Sequence, residues 1–296
     1  MKVKGICHVG SLKHIVLEGG SELCYATMGL IMNKEFDCDY ALNVAIESVK
    51  KAGEILKGFQ GSHLKVWRKT GFDIVSEADI SAQKEIIQHL KKYFPDHLFL
   101  SEELEVPSEA TRRFRWIVDP LDGTINYVSG LPLFSISVAL QDEGKTILGV
   151  IFDPVTDELY TSIRGRGSFA NGKKIEVSDT PDLGESVLAF MLTSHYTKEL
   201  VNEVIGHINK LAMSCRGLRL YVSQALELAY TASGRLDGTF CVKSRGFSAA
   251  AGALVVREAG GRVTDLSGRE FDNHSRSLLA TNALLHDRIV HILSEV

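Results

Sequence analysis

The 296-residue chain lacks paired cysteines, long apolar runs and any excess of positive charge. Its five cysteines (Cys7, Cys24, Cys38, Cys215, Cys241) are odd in number, far apart and without a C-x-x-C. That argues against a disulfide framework and a thiolate zinc site, and makes a reducing cytoplasm the expected setting. No segment approaches about 18 apolar residues, and the N-terminal "KGICHVGSLKHIVL" is cut by His8, Lys13 and His14, so neither a signal peptide nor a membrane span is expected. A net charge of −4 supplies no global attraction to nucleic acid or an anionic membrane. The ten histidines form no H-E-x-x-H, and no G-x-S-x-G occurs, which removes the usual marks of a zinc protease and a serine hydrolase. Linkers rich in Pro, Gly or Ser, internal repeats and low-complexity tracts are missing too, so two packed subdomains are expected in preference to independent domains.

What is present is core-forming. A hydrophobic fraction of 45% in a chain of this length suits one large domain or two intimately packed ones. Residues 1–33 fit neither helix nor strand periodicity and are expected to be a loosely packed extension or the product of an upstream start site. From Asp39, a possible N-cap, Ala41, Leu42, Ala45, Val49, Ala52, Ile55, Leu56 and Phe59 recur on one helical face. A second helix begins near Asp79, carries Ile80, Ile86, Ile87 and Leu90, and ends before Pro95. Strand-like runs follow ("HLFLSEE", "RFRWIVDP", "LFSISVALQD", "KTILGVIFDP", "ELYTSIR"), predicting a largely antiparallel sheet in a subdomain spanning 34–180. Over 181–296 strands and helices alternate: "SVLAFML", "TKELVNEVIGHINKLA", a short strand near "SCRGL", "SQALELAYTASG", "LDGTFCV", "SAAAGALVVREAGG" and "RVTDL". That half reads as α/β.

The most informative stretch is "WIVDPLDGTINYVSG", Trp116 to Gly130. An apolar strand ends at Asp119, Pro120 cannot donate to a sheet, and Gly123 permits a tight backbone. Asp119 and Asp122 are therefore presented together at a strand's carboxyl edge. Like charges there call for a counter-ion, and Mg²⁺ takes one or two carboxylates while leaving positions for water and phosphate. Turn chemistry alone also accounts for Asp-Pro-x-Asp-Gly. Thr124 weighs toward the site: a helix beginning near Gly123 would aim unpaired amides at an anion beside a hydroxyl. Glu102-Glu103, after the apolar "LFL", ends another strand, although "SEE" in isolation is more often a solvated loop.

"SEE" followed by "WIVDPLDGTINYVSGLP" and later by "AAAGALVVREAGGRVTD" resembles the inositol monophosphatase family, magnesium-dependent and lithium-sensitive phosphomonoesterases. The resemblance covers about residues 35–290 and implies a layered αβαβα sugar-phosphatase fold, mixed α/β and α+β, in a homodimer. It implies Glu102, Asp119, the carbonyl of Leu121 and Asp122 as metal ligands, with the Gly123 and Thr124 amides receiving phosphate. Asp79, which by itself reads as a helix N-cap, matches an acidic position that helps hold a water. "EAGG" closes a helix at Glu258-Ala259 and exits through Gly260-Gly261, a fold marker and not a reagent. In "RLYVSQALEL" Val222 stands where the family usually has Gly, while Ser223 and the Gln224 amide face substrate by the same resemblance. The main departure is "RGFSAAAG", where Phe247-Ser248 replaces Trp-Asp and leaves the second metal position a neutral Ser248 ligand.

Hydrolysis of a small polyol or sugar phosphate monoester follows as the expected activity. Inositol 1-phosphate is the default substrate, with fructose 1,6-bisphosphate or 3′-phosphoadenosine 5′-phosphate as alternatives. One Mg²⁺ is expected on Glu102 and Asp119, with Thr124 and Asp79 in the proton path of its water, and a second between Asp119 and Asp122. The rival is a catalytically impaired relative acting as a binding or regulatory protein, favoured by Ser248 and Val222 and opposed by three concentrated carboxylates.

Overall fold

The computed structural model describes residues 3–9, 12–17, 36–61, 63–69, 71–103, 112–193, 196–244, 246–272 and 274–294. Two units result, Met1–Phe36 and Asp37–Val296. In the first, β1 (Val3–Val9) pairs antiparallel with β2 (Leu12–Leu17). Strand pairing here was not expected from the sequence; the pairing shifts register between Val3 and Gly5. The remainder of the expected extension lies outside the described residues.

The second unit opens with α1 (Cys38–Phe59), whose N-cap is Asp37, accepting from the Tyr40 amide at 2.9 Å. Asp39, expected as the cap, lies instead in the first turn and pairs with Arg166. A short hairpin, the exposed β3 (Val66–Arg68) and the more buried β4 (Ile74–Ser76), runs into α2 (Glu77–Tyr93). Ser76 caps α2, and Asp79 is the reciprocal third residue of a capping box, which corrects its reading as the cap itself. The buried stripe of α2 is Ala78, Ala82, Ile86 and Leu90, a four-residue spacing that leaves Ile80 exposed against expectation.

Five strands named by their sequence pattern lie side by side in a seven-stranded sheet, from its middle to one edge: β5 (Leu98–Ser101), β6 (Phe114–Asp122), β7 (Ser135–Asp142), β8 (Lys145–Asp153) and β9 (Glu158–Ile163). Beyond β6 a one-turn helix α3 (Thr124–Val128) intervenes, and β10 (Ser168–Ala170) and β11 (Lys173–Ile175) complete the sheet. The order is β11-β10-β9-β8-β7-β6-β5, antiparallel except for the parallel β5–β6 pair.

The remaining chain supplies β12 (Val187–Phe190), α4 (Lys198–Ala212), β13 (Gly217–Arg219), α5 (Gln224–Ala232), β14 (Gly238–Cys241), α6 (Gly246–Glu258), β15 (Arg262–Thr264), β16 (Leu278–Thr281) and α7 (His286–Ser294). Its five-stranded sheet runs β13-β12-β14-β16-β15, with the β12 pairs parallel and the β16 pairs antiparallel.

Alternation along β8 explains the layering. Phe152 meets α1 at Gly53, while Gly149 meets α6 at Ala251 from the opposite face. A Cβ at position 149 would come within 2.9 Å of the Ala251 carbonyl, so glycine there lets α6 lie close on the sheet. Helices α1 and α2 cover one face of the large sheet, α5 and α6 fill the space between the sheets, and α4 and α7 pack together beyond the small one. The fold is thus an αβαβα stack of mixed class. Because helices cover both faces of the large sheet, β6, β7 and β8 are buried almost continuously through their central and site-proximal parts. Among the described residues no helix is long and apolar enough to cross a membrane.

Candidate active site

The site grows from the end of β6. Asp119 pairs in register with Ser137 and Asp122 with Ser135, so three steps on β6 face two on β7. This bulge, at a proline without an N–H, leaves Pro120 and Leu121 off the ladder between the two paired aspartates. Gly123 then takes φ +94°, and a Cβ there would meet the Leu133 carbonyl at 2.8 Å, so only glycine makes the turn into α3. Asn126 locks that turn by donating to the carbonyls of Leu133 at 2.7 Å and Tyr221 at 2.6 Å.

Asp122 is gripped by the start of α5. Its Oδ2 accepts from Ser223 Oγ and from the Ala225 amide, each at 2.7 Å. Ser223 is therefore turned to Asp122 and fully buried; it does not face open pocket as the sequence led us to expect. The Gln224 side chain lines the pocket, and its Nε2 donates toward Cys241 Sγ at 3.0 Å and Ser244 Oγ at 3.2 Å. Burial raises the Asp122 carboxyl to about 6 against these donors.

Asp119 is 1% exposed, and Ser248 Oγ at the start of α6 donates to its Oδ2 at 2.6 Å. Burial first, then the charges of Glu102 and Asp122, push its carboxyl well above the usual range. Glu102 is set by the end of β5: its amide donates to the Val118 carbonyl at 3.2 Å, and Gln83 of α2 accepts from the Glu103 amide at 3.2 Å and from Ser101 Oγ. Lys69 lies against both acids, 3.3 Å from Glu102 and in direct contact with Glu103. Burial opposes its charge, but the two carboxylates hold the ammonium above its ordinary value. Asp79 Oδ1 accepts from Thr124 Oγ1 at 2.9 Å, with the Leu121 carbonyl a second acceptor at 3.1 Å. Burial raises Asp79 as well, against the hydrogen bonds from Ser76 and Thr124.

This donor set suits a hard divalent cation. Among the described residues no three His, Cys, Asp or Glu side chains converge into a closed metal cage. Mg²⁺ does not require one, since it keeps waters and takes substrate phosphate. Two further observations favour the fit. Asp119 and Asp122 are buried side by side, and among the described residues no cationic side chain is hydrogen-bonded to either. The hydroxyls of Ser135 and Ser137, across the ladder from them, are buried without hydrogen-bond partners among the described residues.

Comparison with known proteins identifies this arrangement. The profile of the inositol monophosphatase family matches residues 37–296. The chain belongs to that family. It is 43% identical over 261 residues to inositol monophosphatase 2 of Solanum lycopersicum, covering 86% of this chain and 98% of the tomato protein. A fructose-1,6-bisphosphatase/inositol-1-monophosphatase of Thermotoga maritima is 38% identical over 256 residues, 86% of this chain and 96% of its own. The crystal structure of extragenic suppressor protein suhB from Bartonella henselae superposes with a TM-score of 0.83 at 36% identity, covering 86% and 99% of the two chains. Members of the family are phosphatases, hydrolases of phosphoric monoesters.

Seen as a family phosphatase, the chain carries site residues that sequence reading passed over. Lys69 and Gln83 order the "SEE" loop, and Asn126 ties α3 to the start of α5. Glu227, inside α5 and 0% exposed, accepts from Thr239 Oγ1 at 2.6 Å and from the Tyr221 amide at 3.4 Å, and burial raises it to about 8. Its clamp holds Val222 at φ +56°, a left-handed conformation that a β-branched residue adopts only under strain. A positively twisted residue just before a helix start was signalled only by the missing family glycine. Glu258 proves structural as expected: its carboxylate accepts from the Gly165 and Gly167 amides at 2.8 and 3.0 Å, and Gly260 exits the helix at φ +90°.

Proposed function

We propose that the chain hydrolyses a phosphate monoester of a small polyol or sugar with Mg²⁺, inositol 1-phosphate being the default substrate. The observation that carries this reading is the buried Asp119–Asp122 pair at the bulged end of β6, opening beside the first amides of α3 into a pocket lined by Glu102, Gly123 and Thr124. Magnesium would be held by Glu102, Asp119, the Leu121 carbonyl and Asp122, with Ser248 as a neutral oxygen. When bound, it polarises a phosphoryl oxygen and acidifies a coordinated water. The Gly123 and Thr124 amides orient the phosphate at a helix start. Thr124 donates its proton to Asp79 and so turns its oxygen lone pairs outward to receive one from the attacking water. Asp122, held by Ser223 and Ala225, stays fixed while the leaving alkoxide departs. Gln224 lines the substrate side of the pocket while its side-chain amide braces Cys241 and Ser244. No covalent phosphoenzyme is required. On the same reading the enzyme is a lithium-sensitive homodimer of the reducing cytoplasm.

One feature supports a second reading, a binding or regulatory role with weakened catalysis: Ser248 brings no charge to the second metal position. Phosphate release from inositol 1-phosphate, fructose 1,6-bisphosphate and 3′-phosphoadenosine 5′-phosphate across a Mg²⁺ titration separates the two. Metal-dependent turnover of any of them supports the phosphatase; none at saturating metal overturns it.

A further inference from the structure

A second cavity, of about 240 Å³, lies at the other end of the large sheet. Gln141, which lines it, is four residues along β7 from Ser137, about 13 Å at the rise of a strand, so this space is separate from the aspartates. It forms where the β7–β8 pairing shifts register between Leu140 and Gln141, and where α6 lines it with the small side chains of Ala250 and Ala253.

The lining is part apolar and part cationic. Ala250, Ala253 and Phe271 are buried. Lys145, Arg164 and Arg257 stand against Glu270 and Asp272, which leaves one net positive charge. Both acids are engaged: Glu270 accepts from Arg257, and Asp272 accepts from the His274 amide at 2.8 Å and from Ser275 Oγ at 3.1 Å. The cations keep donors to give. Arg164 donates through Nε to the Thr146 carbonyl at 2.9 Å, while its two Nη groups and the Lys145 ammonium have no partner among the described residues. Arg257 bonds Val263, Glu270 and Phe271 through Nη2 alone. Burial first, and then the charge of Arg164, hold its guanidinium below its ordinary value despite Glu270. Gln141 is 2% exposed, and its Nε2 makes one long contact, 3.4 Å to Thr146 Oγ1.

We infer that this cavity binds a small organic carboxylate, its oxygens taken by Arg164, Lys145 and the Gln141 amide and its apolar body laid on Ala250, Ala253 and Phe271. The site is additional to the phosphatase centre and does not rest on it. A guanidinium fork matches the two oxygens of a carboxylate, and one negative charge matches the net charge of the lining. Orthophosphate brings more charge than the lining offsets and leaves the apolar surface against water. A neutral apolar molecule leaves the cations unmet.

The test is calorimetry on the full chain in EDTA at pH 8, with benzoate as the probe and benzyl alcohol and orthophosphate for comparison. Without metal the active-site carboxylates repel anions, so binding reports the second cavity. Benzoate should bind with a Kd of about 1 mM, and the other two at least about tenfold more weakly. Arg164→Gln should weaken benzoate about tenfold, since the lost contact is charged but partly solvated, and Arg164→Lys should recover part of the loss. Lys91→Gln, on α2 across the sheet from α6, should change nothing. Melting curves verify folding of each variant, and methyl NMR should show the Ala250 and Ala253 signals moving with benzoate. No binding up to about 20 mM, twenty times that Kd, overturns the inference. So does affinity that Arg164→Gln leaves unchanged, or methyl shifts confined to other alanines. Orthophosphate binding more tightly than benzoate overturns the assignment to a carboxylate. The assay contains neither metal nor phosphate ester, so none of these results depends on whether the chain is a phosphatase.

Discussion

Ser248→Asp tests the site at its most unusual position. The Ser248 hydroxyl donates to Asp119 Oδ2 at 2.6 Å, and both residues are buried. Replacing the donor with a carboxylate removes a charge-assisted hydrogen bond worth about 1.5–3 kcal/mol. It also sets two anions about 4 Å apart, a repulsion of about 4 kcal/mol at an effective dielectric constant of 20. Protonation limits the damage, because Asp119 already titrates well above the usual carboxylate range and the new pair can share a proton. The metal-free variant should therefore lose about 3–5 kcal/mol at pH 8 and less at pH 6. A divalent cation reverses the sign, since the added carboxylate becomes a ligand. Mg²⁺ affinity should rise at least tenfold, the lower bound for the loss of a mere supporting contact around a metal. Urea unfolding in EDTA and in Mg²⁺ reads the stability change, calorimetry the affinity, and phosphate release the rate. Equal metal-free stability, or Mg²⁺ binding no tighter than wild type, would refute the reasoning.

Asp119→Asn should abolish Mg²⁺-dependent hydrolysis while leaving the metal-free protein at least as stable, because it removes a buried charge yet keeps an acceptor for Ser248; unaltered turnover in a phosphate-release assay contradicts the assignment. Val222→Gly relieves a left-handed β-branched residue, worth about 1–2 kcal/mol, against about 0.5–1 kcal/mol of added chain entropy, so the urea midpoint should rise slightly. A fall in that midpoint would show that Val222 contributes packing greater than its strain. Glu227 and Asp122, raised to about 8 and about 6 by burial, bind protons in the folded state that the unfolded chain releases near its ordinary carboxylate values. Metal-free stability should fall as pH rises from about 5 through 8, by up to about 1.4 kcal/mol per unit for each group still titrating, and Glu227→Gln should flatten the upper part of that slope. His286, lowered to about 4 by burial and then by Arg262, has the opposite sign: its contribution is lost as pH falls from about 6.5 through 4, which urea unfolding of His286→Gln between those values would reveal as a missing acid limb.

Much of this was legible in the residues themselves. The helical face of α1, the strand runs of β5 to β9 and the alternating second half follow from periodicities set over a few residues, and Asp-Pro-Leu-Asp-Gly-Thr carries its turn in its own backbone chemistry. The Ser-for-Asp exchange at position 248 was visible as well. Choices between near-equal local options were not: Asp37 and Asp39 are equally good caps, and only the Tyr40 amide's position selects Asp37. Elements of three or four residues, such as β3, β4 and β16, are too short to show a period. The identities of polar partners lay furthest out of reach. Asp122 is held by Ser223, 101 residues away, and Asp119 by Ser248, 129 residues away. Protonation of Glu227 depends on complete burial beneath Tyr221 and Thr239, and Lys69 meets Glu102 and Glu103 only when the β3–β4 hairpin folds over them. Sequence alone determined which acidic residues stand at the ends of strands, because backbone preference and hydrophobic period act locally. Tertiary structure decided their partners and their charge, because solvent exclusion and charge proximity exist only after distant segments have met.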